Sequence, residues 1–160
     1  MANVAITKTA IPNCINASTE KVITLNIRYQ DIINNGTAFA VDDTASFSIP
    51  VAAGETVVAA SARLITAFAD SGTGDQLNMI VGDGSDTDGF LATAALHTTQ
   101  TEITTVYGTG DLVDGTTSNY KVYTAAGNVV IALDGTLGAA IDFDLLTAGE
   151  VEVTVWIKEA

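Results

Sequence analysis

The run EVEVTVWIK, residues 150–158, sets the strongest limit on what this chain folds into. Val151, Val153, Val155 and Ile157 take every second position, and Glu150, Glu152, Thr154, Trp156 and Lys158 lie between them. Side chains of a strand point alternately to opposite faces, so period two predicts a strand with one buried and one wet face. Residues 21–29 repeat the pattern, with Ile23, Leu25, Ile27 and Tyr29 pointing in and Thr24, Asn26 and Arg28 pointing out. Phe47, Ile49 and Val51 alternate with Ser46, Ser48 and Pro50. Pro50 has no N–H to give a ladder, so it marks an edge or a strand end. In 55–68, Val58, Ala60, Ala62, Leu64 and Phe68 share a face; the alanines permit a helix, but Val57, Val58, Ile65 and Thr66 are β-branched and favour a strand. Leu77, Met79 and Val81 alternate with Asn78 and Ile80, and further strands are predicted over 90–96, 102–107, 120–124, 128–133 and 141–145.

Turn signals separate these runs: Asn34-Asn35-Gly36, Ala53-Gly54, Ser71 to Gly74, Gly108-Thr109-Gly110, Asp114-Gly115, Ala126-Gly127-Asn128, Asp134-Gly135 and Ala148-Gly149. Gly, Asn and Asp supply the backbone conformations that tight turns need. Eight to ten short strands at this spacing predict an all-β fold, an antiparallel β-sandwich, and closure into two Greek keys makes it jelly-roll-like. Residues 21–160 read as a single sandwich domain. Residues 1–20 are the least patterned and read as an N-terminal arm or lead-in, interrupted by Pro12.

Charge narrows the partners. With Lys and Arg totalling 6 against 19 acidic residues, the formal net charge is −13. Between Arg63 and Lys121 there is no Lys or Arg. Nucleic acid is therefore not an expected partner, because phosphate contacts need clustered Lys and Arg, and an anionic membrane surface is equally unsuited. Cys14 is the only cysteine, which rules out an intrachain disulfide and fits synthesis in a reducing cytoplasm. The first residues lack a basic region followed by an apolar run, so no signal peptide is expected. No apolar stretch reaches the roughly 18 residues of a membrane helix.

Few residues suggest chemistry. The stretch VGDGSDTDGF, residues 81–90, gathers Asp83, Asp86 and Asp88 with three glycines. Three close carboxylates suit a hard cation, and calcium is the candidate. An EF-hand register that sets Gly89 at its sixth position puts Gly84 first and Ala95 twelfth, where ligands are required. A strand-joining turn is the preferred reading, and a calcium loop the alternative. His97 is the only histidine and has no nameable partners, no G-x-S-x-G elbow accompanies it, and Cys14 sits among apolar residues. The acidic pairs Asp42/Asp43, Asp142/Asp144 and Glu150/Glu152 read as solvated charges rather than a glycosidase pair. No enzyme and no cofactor are expected. Trp156, Ile80 and Ile65 stand at outward or less apolar positions of their strands, which marks them as interface candidates and points to association.

The runs LNMIVGDGSDTDGFLATAAL, YKVYTAAGNVVIAL and LTAGEVEVTVWI together resemble small jelly-roll virion proteins of tailed bacteriophages. That class includes head decoration proteins, head fibres and minor structural proteins. The likeness covers about residues 55–158 and rests on short motifs, each a turn plus an alternating strand. It implies a homo-oligomer, with a trimer favoured. It also implies partners in the major capsid protein or another virion protein, and a place on the capsid exterior. No catalytic residues come with it. The second reading is a jelly-roll binding module, lectin-like or a receptor-binding tip, with calcium in the 83–88 loop.

Overall fold

In a computed structural model of the protein, the described residues are 3–6, 11–15, 20–34, 38–39, 43–71, 77–97, 120–134 and 142–159. The strands are β1 (Asn3–Ile6), β2 (Ile11–Ile15), β3 (Glu20–Arg28), β4 (Thr44–Val51), β5 (Thr56–Asp70), β6 (Asn78–Gly82), β7 (Leu91–Ala95), β8 (Lys121–Val122), β9 (Gly127–Asp134) and β10 (Leu146–Lys158). They form two five-stranded sheets, here called sheet A, of order β1-β4-β9-β6-β7, and sheet B, of order β2-β3-β10-β5-β8.

The topology arises from nested pairing. β3 pairs with β10, β4 with β9, β5 with β8 and β6 with β7, all antiparallel. The described strands from β3 to β10 thus nest as one long hairpin whose tip is the turn between β6 and β7. Rolling that hairpin brings β10 against β5 and β9 against β6. This is the jelly-roll-like arrangement of two Greek keys. β1 and β2 each add an edge strand, one to either sheet; β1 runs parallel to β4, an exception to the otherwise antiparallel pairing.

The alternating apolar positions meet between the sheets. Ile23, Leu25 and Ile27 of β3 and Val151, Val153, Val155 and Ile157 of β10 face Phe47, Ile49, Met79, Val81, Val129, Ile131 and Leu133 of sheet A, and all are buried. Pro50 sits near the end of β4, beyond the residues Thr44 to Phe47 that pair with β1. That placement meets the need of a residue with no N–H.

Three segments depart from the simple alternation. A strand is expected at 141–145, but Phe143–Leu145 is a 3-10 turn. Asp142 explains it: its side chain accepts a hydrogen bond from Asp144 N, a local bond that competes with a ladder, while Phe143 turns into the core. β3 ends at Arg28, and Tyr29–Ile33 forms one short helix, α1, with the Asp31 carboxylate accepting from Arg28 N. In β5, Val57 rather than Val58 is buried, because the register against β10 slips between Trp156 and Ile157. The strand expected at 102–107 lies outside the described residues. Among the described residues no helix is long and apolar enough to cross a membrane.

Candidate functional site

The β6–β7 turn stands at the tip of the rolled hairpin, and its own backbone dictates its shape. Gly82 starts it; a Cβ there would lie 2.1 Å from Asp86 O and 2.3 Å from Thr87 C, so the loop closes onto a bare backbone. Asp83 is buried and organises the rest of the turn. Its Oδ1 accepts from Ser85 N at 2.8 Å, Ser85 Oγ at 2.6 Å and Asp86 N at 3.0 Å. Asp83 N donates to Asp86 O at 2.7 Å, and Phe90 N returns the chain to Val81 O at 2.9 Å. The side chain thus takes the place of a backbone turn, which is why Asp is favoured here.

Asp83 Oδ2 lies 3.3 Å from Lys121 Nζ on β8, so a sheet B residue ties the tip of sheet A. Burial pushes the Asp83 carboxyl up, but the bonds from Ser85 and Asp86 and the Lys121 ammonium outweigh it and hold the group below the usual carboxylate range. Tyr123 closes the same corner. Its hydroxyl donates to Asn128 O at 3.3 Å, and Gly127 leaves room for its ring. Burial, then the Asp83 charge, pushes its phenol up to about 12. Tyr123 N and O both bond the 54–55 backbone. There Glu55 accepts from Ala52 N at 2.7 Å and from Lys21 Nζ. Burial raises the Glu55 carboxyl, and the Lys21 and Ala52 bonds win and lower it.

Asp86 and Asp88 are placed differently. Asp86 is half-buried and contributes its backbone carbonyl to the turn, and Asp88 is exposed. Asp83, Asp86 and Asp88 are not brought together: among the described residues no group of three His, Cys, Asp or Glu side chains is placed to hold a metal ion. Asp83 already has an ammonium counter-charge and three donors. A calcium ion would have to displace them.

Beside this turn, the outer face of sheet A carries a groove of about 330 Å³. Ile80, Val130 and Ala132 line it, with Asp83, Gly84 and Thr87 at the turn end and Thr44 and Asp134 at the other. The register explains the company: Ile80 lies beside Ala132, Gly82 beside Val130, and Asp134 beside both Thr44 and Asn78. Asp134 Oδ1 is shut from solvent and has no hydrogen-bond partner among the described residues.

The outer face of sheet B is built otherwise. Thr24 and Thr154 share a hydroxyl hydrogen bond of 3.1 Å. Glu150 Oε1 accepts from Asn26 Nδ2 at 2.6 Å and lies 3.3 Å from Arg28 Nε, and Glu152 Oε1 lies 3.5 Å from Arg63 Nη2. Trp156 is half-buried on this face, in register with Val22 and Ala59. Ile65 is 41% exposed. Its position has a cause: Val151 pairs with Leu64 and Glu150 with Thr66, so Ile65 is the extra residue of a β-bulge. Trp156 and Ile65 therefore share sheet B, and Ile80 lies on the opposite face of the sandwich. A second, polar cleft of about 530 Å³ opens at the end of sheet B, lined by Arg28, Tyr29, Asp31, Thr66, Gly149 and Glu150 among others.

His97 is half-buried, with Nδ1 3.1 Å from Leu77 O. The side chain of Cys14 and all of Asp42 lie outside the described residues. Sequence reasoning missed Lys121, Tyr123 and Asp134. For the groove a signal existed: NVVIAL, residues 128–133, is apolar at both parities, which one buried face does not require.

The architecture is thus a two-sheet, jelly-roll-like sandwich whose outer faces differ in chemistry. A chain in the cyanophage Pam1 capsid asymmetric unit has a similar fold, with a TM-score of 0.53, 15% sequence identity and coverage of 96% of this chain and 94% of that one. At that identity the likeness concerns the fold. PliG, a periplasmic lysozyme inhibitor of g-type lysozyme, is more distant. The Aeromonas hydrophila structure gives a TM-score of 0.33 at 9% identity, covering 98% of both chains. That of Salmonella Typhimurium gives 0.29 at 14%, covering 99% of both. Neither score is high enough to bear on fold or function. The sequence matches no protein-family model, and no curated protein matches it at a significant level.

Proposed function

We propose that the chain is a structural protein of a tailed-bacteriophage virion, an oligomer that decorates or stabilises the capsid exterior. It acts by binding surface to surface, without turnover and without a cofactor. The observation that carries this reading is the fold shared, along nearly the whole chain, with a chain of a cyanophage capsid. The charge of −13 suits a surface that faces water rather than packaged nucleic acid. Half-buried Trp156 on sheet B is the proposed contact between copies, since aromatic anchors dominate such interfaces.

The test joins two measurements. Particles purified from cells infected by the encoding phage should contain the chain in fixed stoichiometry with the shell subunit. Native mass spectrometry of the isolated protein should show a trimer that ignores a chelator, and Trp156→Ala should shift it towards monomer. Absence from washed particles would sink the reading. A species that carries calcium and falls apart on chelation would favour the binding module instead, with calcium in the 83–88 loop.

A further inference from the structure

We infer that the groove on sheet A receives an extended segment of a partner protein that sets a lysine against Asp134 and small apolar side chains over Val130 and Ile80. Three observations lead there. The middle of an outward sheet face carries Ile80, Val130 and Ala132, where a solvated face would carry polar residues. The groove they floor has walls, the Asp83–Thr87 turn at one end and Asp134 at the other. Asp134 lines the groove, and its Oδ1 is shut from solvent and unpaired among the described residues, so the carboxylate's charge is uncompensated and a cation set at that end of the groove would offset it. Asn26 Oδ1 on sheet B is also unpaired, but it belongs to a neutral amide and lines neither groove nor cleft.

Charge selects the occupant. The groove has an acidic residue at each end, and Asp83 is already neutralised by Lys121 while Asp134 is not paired with any described cation. A second copy of this chain, at −13, meets the face with like charge. A basic segment meets it with opposite charge. Spacing selects the conformation. From Asp134 through Ala132 to Val130 the outward side chains repeat every second residue over about 13 Å, so a strand-like segment matches them with Lys at one position and apolar residues two and four further on. This inference borrows from the virion reading only the source of the segment, which there would be the shell protein. The groove itself does not depend on it.

The probe is a synthetic peptide, acetyl-Thr-Lys-Thr-Val-Thr-Val-Thr-amide, titrated into the full-length ¹⁵N-labelled protein. Two twins accompany it, one with Glu for Lys and one with the valines moved by one position. The shifted amides should cluster in 78–82 and 130–134, and the Lys peptide should bind about tenfold more tightly than the Glu peptide. Asp134→Asn should abolish that preference while the rest of the spectrum stays in place, and Ala132→Phe should block both peptides. Shifts elsewhere, equal binding of the Lys and Glu peptides, or no binding up to the solubility limit would overturn the inference. So would concentration-dependent broadening of the same amides without peptide, the mark of a second copy. Because no particle enters this assay, its failure and the failure of the virion reading are separate results.

Discussion

The two outer faces of the sandwich grow from the same alternation and end in opposite states. On sheet B the outward positions of three neighbouring strands answer one another: Thr24 with Thr154, Asn26 with Glu150, Arg63 with Glu152. On sheet A the outward positions of β9 and β6 run from Asn128 and Asn78 at the margins to Val130, Ala132 and Ile80 in the middle, ending at an unpaired carboxylate oxygen of Asp134. Cross-strand pairs stabilise a sheet that faces water. An apolar face leaves hydrocarbon against water, and so has more to gain from meeting protein. The difference teaches where to look for a partner in a fold with no evident chemistry, namely where the ladder of outward polar pairs stops: at the groove on sheet A, and on sheet B at Trp156 beside Val22 and Ala59.

Both faces stand on one core. Phe47→Ala, which empties a fully buried site of sheet A, should cost about 3–5 kcal/mol. In urea unfolding followed by Trp156 fluorescence, from sheet B, and by circular dichroism, the two transitions should coincide. Separate transitions would mean that the sheets unfold apart and that the faces belong to two units.

Gly82→Ala attacks the groove wall alone. The added methyl would meet Asp86 and Thr87 backbone, so the turn must move, at about 1–3 kcal/mol by urea midpoint. Amide shifts should appear at 83–90 and spare the sheet B ladder. If they reach β3 and β10, the two faces are coupled and the contrast fails.

Asp83→Asn should cost a similar or smaller amount near neutral pH, about 1–3 kcal/mol, by weakening the tie to Lys121 and the bonds that shape the turn. The pH dependence has a definite sign. Asp83 and Glu55 are both held below their ordinary values when folded. Each therefore contributes stability above its unfolded pKa, about 3.9 for Asp and about 4.3 for Glu, and loses it as pH falls through the lower folded value. The parent protein should lose stability as acid is added below about pH 4. Asp83→Asn should lose less over the same interval, read from thermal midpoints at matched ionic strength. Parallel curves would remove Asp83 from the account.

The smallest effect belongs to sheet B. Arg63 is exposed and Glu152 only half-buried, so a double-mutant cycle to Ala should give a coupling below about 0.5 kcal/mol that salt reduces further. A coupling above about 1 kcal/mol would show that this face is not solvent-like.

Legibility tracked locality. Period two in 150–158, 21–28 and 47–51 was enough to place Val153, Leu25 and Ile49 in the core, because strand geometry assigns faces residue by residue. The turn at 82–90 was legible for the same reason: Gly82 and Asp83 act on atoms within a few positions of themselves. The bulge was not. Ile65 looks like one more alternating residue, and only its pairing with β10 shows it as an inserted one. Nor does the alternation of 141–145 reveal that Asp142 caps a 3-10 turn, since Ile, Phe and Leu at every second position also suit a strand.

The sequence by itself determined that the chain is built of strands, which side of each is apolar, where several of them turn, and that it carries a net charge of −13. Only the tertiary structure decided which strands lie side by side. It nested β3 with β10 and β4 with β9, set Lys121 against Asp83, and put Ile80 of β6 beside Ala132 of β9. Alternation is a property of a single strand and is written in every window of the sequence. A groove or an ion pair between strands far apart in the chain depends on register, which the packing of the whole core sets.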